Sequence, residues 1–294
     1  MTKTADKRQS KKEAKSKAEK LQFKFSWPSN LGLAVLAGAL LGLSAPGIGH
    51  SLSFSFLAWL ALAPLLLLTV SSKNVMQAFV RGTVFGTAYN MVYQNWYLGL
   101  QPLDWLGFNQ WQGWALASLA WLVISVHQGL IIGLFSIAAY LVPTTGKFLP
   151  EGSKKRMKLP AFLIMPLLWV LIVNKIGNAH IALGVPFAML EYTQYKQISV
   201  IQIVSIIGGI GLSFLMVMFN TVFATLIANC SKIKGVSSLQ APSRKAALYQ
   251  CFAMAVLLAG LIGFGFYQSS TLNYSAEIPV SVVQQNINID MQKT

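Results

Sequence analysis

The side chains best suited to catalysis or metal binding are few and far apart in this sequence. His50, His127 and His180 lie in three separate stretches, without the close spacing that metal ligands usually show. Cys230 lies at the end of an apolar run and Cys251 lies inside another, and neither belongs to a motif that favours a thiolate. We therefore predict no catalytic residue, no metal site and no cofactor here, and we interpret both cysteines as small side chains packed in or near helices.

A second group of candidate residues is polar and aromatic. The stretch KIGNAHIALGVPFAMLEYTQYKQIS, residues 175–199, is about half apolar, yet it is too short and too polar to cross a bilayer twice. Because exposed loop backbone is not tolerated in hydrocarbon, we predict interfacial or re-entrant structure here. Tryptophan and tyrosine residues between positions 96 and 114 flank two apolar runs, where such residues form an interfacial belt or line an entry point for lipid.

The composition shows what kind of element must position these side chains. The chain is 54% hydrophobic and 11% charged, well below the roughly 25% charged residues of soluble domains. Its apolar residues form long runs, several of which reach the roughly 20 residues that cross a bilayer as a helix. The runs predict an all-α polytopic membrane bundle of about seven transmembrane helices. The predicted spans are 27–45, 52–70, 75–98, one within 111–142, 159–173, 198–228 and 246–267.

Small residues recur at four-residue spacing inside three of these spans. The pairs are Gly38 with Gly42, Gly82 with Gly86, and Gly129 with Gly133. This spacing predicts helices that pack closely through their glycine faces. The predicted spans are almost free of charge, which does not favour a transporter, since a transporter needs intramembrane charges.

The positive charge has a strongly uneven distribution. The net charge is +15, nine of the 23 lysine and arginine residues lie within the first 24 positions, and most others lie in short connections. This pattern sets membrane topology, so we exclude nucleic acid as a partner. With a cytoplasmic amino terminus, 20 of the 23 basic residues lie on that side. An odd number of spans fits this distribution and predicts a carboxyl terminus on the side away from the cytoplasm, which in a Gram-negative cell is the periplasmic face of the inner membrane.

The last residues, IPVSVVQQNINIDMQKT, differ from the apolar runs. Residues 280–283 predict a β-strand, because branched residues follow Pro279 and precede a stretch rich in Asn and Gln. A strand cannot pair with itself, so we expect partner strands to follow it. The predicted organisation is a basic cytoplasmic tail at 1–26, a transmembrane domain at 27–270 and the start of a periplasmic domain at 271–294.

Several stretches, in chain order, resemble the apolipoprotein N-acyltransferase family. They are SAPGIGHSLSFSFLAWLALAPLLLL, FGTAYNMVYQNWYLGL, PLLWVL, LGVPFAMLEYTQ, IQIVSIIGGIGLSFLMVMFN and IPVSVVQQNINID, and together they extend from about residue 31 to 294. The final strand resembles the first strand of that family's nitrilase-like domain, so the resemblance implies the start of an α/β domain here. The sequence departs from the family pattern at Val173 and Asn174, where an acidic residue and a tryptophan are frequent, at Glu191, where glycine is frequent, and at Ile210, where an aromatic residue is frequent.

The resemblance implies acyl transfer from a membrane phospholipid to the amino-terminal amine of a diacylated lipoprotein cysteine. In the family a Glu, a Lys and a Cys of the nitrilase-like domain carry out this reaction through a thioester, and none of the three maps onto this sequence. We therefore expect a chain that lacks the catalytic domain and is inactive alone. The alternative is a non-catalytic membrane remnant, or a scaffold that works with a separate catalytic domain.

The resemblance also gives the membrane part a role, which is to hold the catalytic domain and admit both lipidated substrates, the phospholipid donor and the apolipoprotein. The lipid-contact candidates are Trp96, Tyr97, His180, Glu191, Tyr192 and Gln194. For His180 and Glu191, a hydrated position at the interface is the alternative. For Trp96 and Tyr97, the alternative is anchoring in the aromatic belt. The sequence does not indicate an oligomeric state.

Overall fold

The computed structural model describes residues 27–46, 54–142, 160–177, 179, 184, 188–231, 244–271 and 281, and this part of the chain is mostly helical. The α-helices are α1 (Trp27–Gly42), α2 (Ala63–Val70), α3 (Val75–Tyr93), α4 (Gln110–Leu141), α5 (Ala161–Trp169), α6 (Ile198–Ile201), α7 (Val204–Ser231) and α8 (Arg244–Thr271). The 3-10 helices are Ser55–Trp59, Asn95–Leu100, Asp104–Leu106 and Leu190–Gln194, and a π-helix at Val170–Ile176 directly continues α5.

The described helices confirm an all-α membrane architecture. Three of them contain stretches long and apolar enough to cross a membrane, namely Gln110–Leu141, Val204–Cys230 and Lys245–Thr271. Three shorter apolar helical stretches are Asn30–Gly42, Ser55–Val70 and Ala161–Ile176. Helix α3 has 19 residues, but its polar residues, Gln77, Arg81 and Asn90 among them, make it less apolar than these helices. The count of seven spans therefore stays a prediction.

The two ends of the chain lie almost wholly outside the described residues. This applies to the predicted tail at 1–26 and to nearly all of the predicted domain start at 271–294. Within the predicted strand, Ser281 is the described residue, and it has no regular secondary structure. No strand occurs in the described ranges, so the terminal strand is not confirmed.

Helix α3 packs between α1 and α4 at very short range. A Cβ atom on Gly42 of α1 would lie 2.8 Å from the carbonyl oxygen of Tyr89 on α3. A Cβ atom on Gly86 of α3 would lie 2.9 Å from the Cα atom of Gly129 on α4. Because real Cβ atoms do not approach other atoms so closely, these glycines let the helix backbones touch. The structure confirms the close packing predicted from the three glycine pairs.

Buried polar side chains fix both ends of the short helix α2. Asn220 of α7 accepts hydrogen bonds from the amides of Leu62 and Ala63, at 3.1 and 3.0 Å, where α2 begins. At the other end, the buried guanidinium of Arg81 donates to the carbonyl oxygen of Leu68 at 2.7 Å. These bonds satisfy backbone groups that a helix end leaves without partners.

Two helices depart from regular geometry near the segment 188–197. After α5, the chain changes to the π-helix Val170–Ile176. In α7, Gly208 has φ 70° and ψ 169°, a conformation that is essentially restricted to glycine. The kink separates the first turn of α7 from the long apolar part that begins near Gly209. Both irregular stretches contact the segment 188–197, and they carry the side chains described next.

Candidate functional site

A buried carboxyl group joins three elements of the bundle. Glu191, in the 3-10 helix Leu190–Gln194, is only 8% exposed. Its carboxylate accepts a hydrogen bond from the hydroxyl of Ser213 on α7. The amide nitrogen Nδ2 of Asn174, on the π-helix, lies 3.5 Å from each carboxylate oxygen. The three residues form what we call the Glu191 cluster, and it connects the segment 188–197 to both irregular helices.

The surroundings of Glu191 favour its neutral form. Burial raises the pKa of the Glu191 carboxyl, and the hydrogen bonds from Ser213, from the backbone amide of Glu191 itself and from Asn174 act in the opposite direction. Gly209 faces the carboxyl closely, since a Cβ atom there would lie 3.3 Å from the Glu191 Cγ atom. The cluster is therefore tightly packed around a single acid.

Gln194 anchors the same segment to the 3-10 helix Ser55–Trp59. Its Nε2 atom donates to the carbonyl oxygen of Ser55 at 2.9 Å, and its Oε1 atom accepts from the indole Nε1 of Trp59 at 3.1 Å. Gln197 adds a bond of 3.0 Å from its Nε2 atom to the Ser55 hydroxyl. Gln194 is 1% exposed, so its amide serves an internal connection.

Helix α3 contacts the segment through two tyrosines. The hydroxyl of Tyr89 donates to the carbonyl oxygen of Ala188 at 3.0 Å. The rings of Tyr89 and Tyr93 meet edge to face, with centroids 5.5 Å apart. The segment 188–197 is thus attached to α3, the π-helix, α7 and residues 55–59.

The structure distributes the six lipid-contact candidates among different environments. Trp96 and Tyr97 lie on the 3-10 helix Asn95–Leu100, with ring centroids 4.1 Å apart. Trp96 is 45% exposed and Tyr192 is 44% exposed, whereas Glu191 and Gln194 are buried. His180 lies outside the described residues. Glu191, Tyr192 and Gln194 share one segment, and Trp96 and Tyr97 lie on a separate one. Contact of any of these residues with lipid stays a prediction.

Sequence reasoning did not select Asn174, Ser213 or Tyr89 as site residues. The available signal was a polar side chain within an apolar run, which points to the interior of a bundle. Within the described ranges, no three His, Cys, Asp or Glu side chains come together as metal ligands. The arrangement holds a protonatable acid that accepts hydrogen bonds from neutral donors and is followed in the chain by the exposed Tyr192.

Comparison with known proteins gives one consistent family. The sequence model of the apolipoprotein N-acyltransferase N-terminal domain matches residues 37–222, which include the end of α1, all of α2 to α6 and most of α7. Two curated relatives match most of this chain. The apolipoprotein N-acyltransferase of Geobacter metallireducens is 32% identical over 259 residues, covering 87% of this chain and 43% of the relative. That of a Nostoc species is 27% identical over 242 residues, covering 79% of this chain and 43% of the relative.

A third relative, the apolipoprotein N-acyltransferase of Gloeobacter violaceus, is 40% identical over 103 residues. This match covers 35% of this chain and 19% of the relative. In all three comparisons the chain spans less than half the length of the relative.

Proposed function

Because the chain belongs to the apolipoprotein N-acyltransferase family, we propose that it forms the membrane part of an enzyme that acylates lipoproteins. The acyl chain comes from a membrane phospholipid and goes to the amino-terminal amine of a diacylated lipoprotein cysteine. The observation that carries this proposal is the family match over residues 37–222, which coincides with the packed helices of the structure.

In this proposal a nitrilase-like domain carries out the chemical step, in which the ester bond of the lipid is broken. By its resemblance to the family, that domain supplies a cysteine that attacks the lipid ester and forms a thioester, which the lipoprotein amine then attacks. We assign none of the described residues to this step. The helices described here seat that domain and present both lipid substrates to it from the bilayer.

The proposed location is the bacterial inner membrane, with a cytoplasmic amino terminus and a periplasmic carboxyl terminus. The support is the distribution of charge, since 20 of the 23 lysine and arginine residues fall on the side assigned to the cytoplasm. This orientation places the segment 188–197 and the 3-10 helix Asn95–Leu100 on the periplasmic side.

The six candidates have two different roles in this proposal. Trp96, Tyr97 and Tyr192 contact lipid directly, and the exposure of Trp96 and Tyr192 supports this role. Glu191 and Gln194 act indirectly, because their internal hydrogen bonds hold the segment that carries Tyr192. His180 remains a candidate for direct contact on the strength of the sequence.

A chimeric gene tests the proposed function. Residues 27–271 replace the matching membrane portion of the Geobacter relative, and the product is made in a bacterium whose own N-acyltransferase can be depleted. Mass spectrometry of a lipoprotein amino terminus reads out the added acyl chain. We expect N-acylated lipoprotein, and we expect Trp96→Ala in the chimera to raise the phospholipid concentration that gives half-maximal rate.

The matched controls separate the alternatives. A chimera that accumulates in the membrane without N-acylation would overturn the proposal. Activity from this 294-residue chain expressed alone would show that the transfer chemistry lies within it. Activity that appears only when the chain is expressed beside the relative's separate remaining portion would support the scaffold alternative.

A further inference from the structure

Side-chain hydrogen bonds attach the segment 188–197 to its neighbours on several sides, and the buried side chain of Leu190 adds apolar packing. Its own regular structure is the short 3-10 helix Leu190–Gln194. Gln194, Gln197 and the carbonyl of Ala188 provide neutral attachments to residues 55–59 and to α3. Glu191 provides the attachment to α7 and the π-helix, and it is the acidic residue of the segment. One ionisable group therefore controls one side of the segment.

We propose that Glu191 is a proton-dependent latch, which in its neutral form holds the segment 188–197 against the kinked start of α7 and which releases that side of the segment when it ionises. The proposal concerns the folded chain alone and does not depend on the acyl-transfer function.

The contacts of the carboxyl group explain why charge is poorly tolerated there. The donors to the carboxyl are the Ser213 hydroxyl, the backbone amide of Glu191 itself and the Asn174 amide, and the last lies at 3.5 Å, the long limit of a hydrogen bond. All three donors are neutral. A buried carboxylate needs several good donors or a cation to offset its lost hydration. A neutral carboxyl group needs fewer such partners, because it loses less hydration on burial.

The titratable neighbours do not provide a compensating charge. Tyr93 of α3 interacts electrostatically with Glu191 and with Tyr192, and Tyr89 of α3 also interacts with Glu191. Tyrosine hydroxyls stay neutral below about pH 10. Lys175, which follows Asn174 on the π-helix, is exposed to solvent. On α7, the residues that face the carboxyl are Ser213 and Gly209, which do not titrate.

The raised pKa of Glu191 determines the direction of the pH effect. Because burial raises the pKa of Glu191 above its ordinary value, closing the segment favours the protonated form. The latch is therefore fully closed at low pH and loosens as the pH rises through the raised pKa. Its release weakens the hold on neighbouring Tyr192 and on the part of α7 that carries Gly209 and Ser213.

Hydrogen exchange tests the latch in the full chain, reconstituted in lipid nanodiscs. Amide exchange of residues 188–197 is measured from about pH 5 to 9 and corrected for the intrinsic exchange rate. In the wild type we expect protection to fall by about tenfold for each unit by which the folded pKa exceeds the unfolded one. Residues 129–139 of α4, which contain no titratable side chain, serve as the internal control and should not change.

Two variants separate the proton from the shape of the side chain. Glu191→Gln keeps the size and neutrality of the protonated acid, so it should retain high protection at every pH. Glu191→Ala removes the contact with Ser213 and should lower protection at every pH. Equal pH dependence in the wild type and Glu191→Gln would overturn the latch. So would a wild-type segment that does not respond to pH, or a loss of protection shared with residues 129–139.

Discussion

Single amide side chains position whole elements in this bundle. Asn220 is fully buried on α7, and besides its two acceptor bonds at the start of α2, its Nδ2 atom donates to the carbonyl oxygens of Ala58 and Met216, both at 2.9 Å. Helix α2 has no side-chain cap of its own, since Leu62 precedes it. Asn220 thus replaces a local cap with a long-range one.

Replacing Asn220 by alanine should destabilise the bundle by about 2–3 kcal/mol, because it removes the Asn220 partner of the Leu62 amide and of the Ala58 carbonyl inside the bundle, whereas the Ala63 amide keeps the Leu60 carbonyl as a partner. The free energy of unfolding in detergent or nanodiscs measures this effect. Asn229→Ala on the same helix is the matched control. Its Nδ2 atom donates only to the carbonyl of Thr225, at 2.8 Å and partly buried, so its loss should cost well under half as much. Equal effects would contradict the capping role.

The residue scale also shows where sequence reasoning stops. Glu191 and Gln194 were selected as lipid contacts because polar residues in an apolar connection suggest an interface. The structure buries both, because Trp59 and Ser213 provide partners from distant parts of the chain. The side chains of Trp96 and Tyr192 are exposed, as residues that contact lipid must be, and their contact with lipid stays a prediction. Residue type predicted that these positions matter, but burial depends on contacts that the local sequence does not encode.

At the scale of elements, glycine spacing was the most informative pattern. Four-residue spacing places both glycines of a pair on one helix face, and the structure uses these faces to bring α1, α3 and α4 together. Gly260 on α8 provides a contrast, because a Cβ atom there would have no other atom within 4 Å. Glycine therefore has a packing role at Gly86 in α3 and none at Gly260 in α8.

Gly86→Ala should destabilise the bundle by about 1–3 kcal/mol, since its new methyl group would force α3 away from α4. Gly260→Ala should have the opposite sign and stabilise by up to about 1 kcal/mol, because alanine favours helix without a clash. Thermal unfolding of both variants, followed by circular dichroism, measures the difference. If both substitutions raised the stability, the interface between α3 and α4 would have enough space for a methyl group at position 86.

Helix interruptions were harder to predict than helices. The span predicted within 111–142 corresponds to α4, and that at 246–267 lies within α8. The single span predicted at 198–228 is divided into α6 and α7 and carries a kink at Gly208. Hydropathy could not show this division, because a kinked helix and a straight one are equally apolar. The sequence GGIG was the local signal, since glycine alone readily adopts the backbone angles of Gly208.

At the scale of the whole molecule, the distribution of charge and the arrangement of helices must agree. The turn between α2 and α3 contains Lys73, and the segment 188–197 contains Lys196, and both lysines are exposed. The sequence assigns them to opposite sides of the membrane, because three predicted spans, 75–98, 111–142 and 159–173, lie between them. The structure describes α3, α4 and α5 with its π-helix in this interval.

Thiol labelling of intact cells therefore tests the orientation on which the periplasmic assignment of Glu191 and Tyr192 depends. Single-cysteine variants Lys196→Cys and Lys73→Cys are made after Cys230 and Cys251 are changed to serine. A membrane-impermeant maleimide should label Lys196→Cys in intact cells and Lys73→Cys only after permeabilisation. The two sites are matched, since each replaces an exposed lysine in a connection between helices. Labelling of both sites from the same side would require an even number of crossings between them, which would remove one of the three intervening spans.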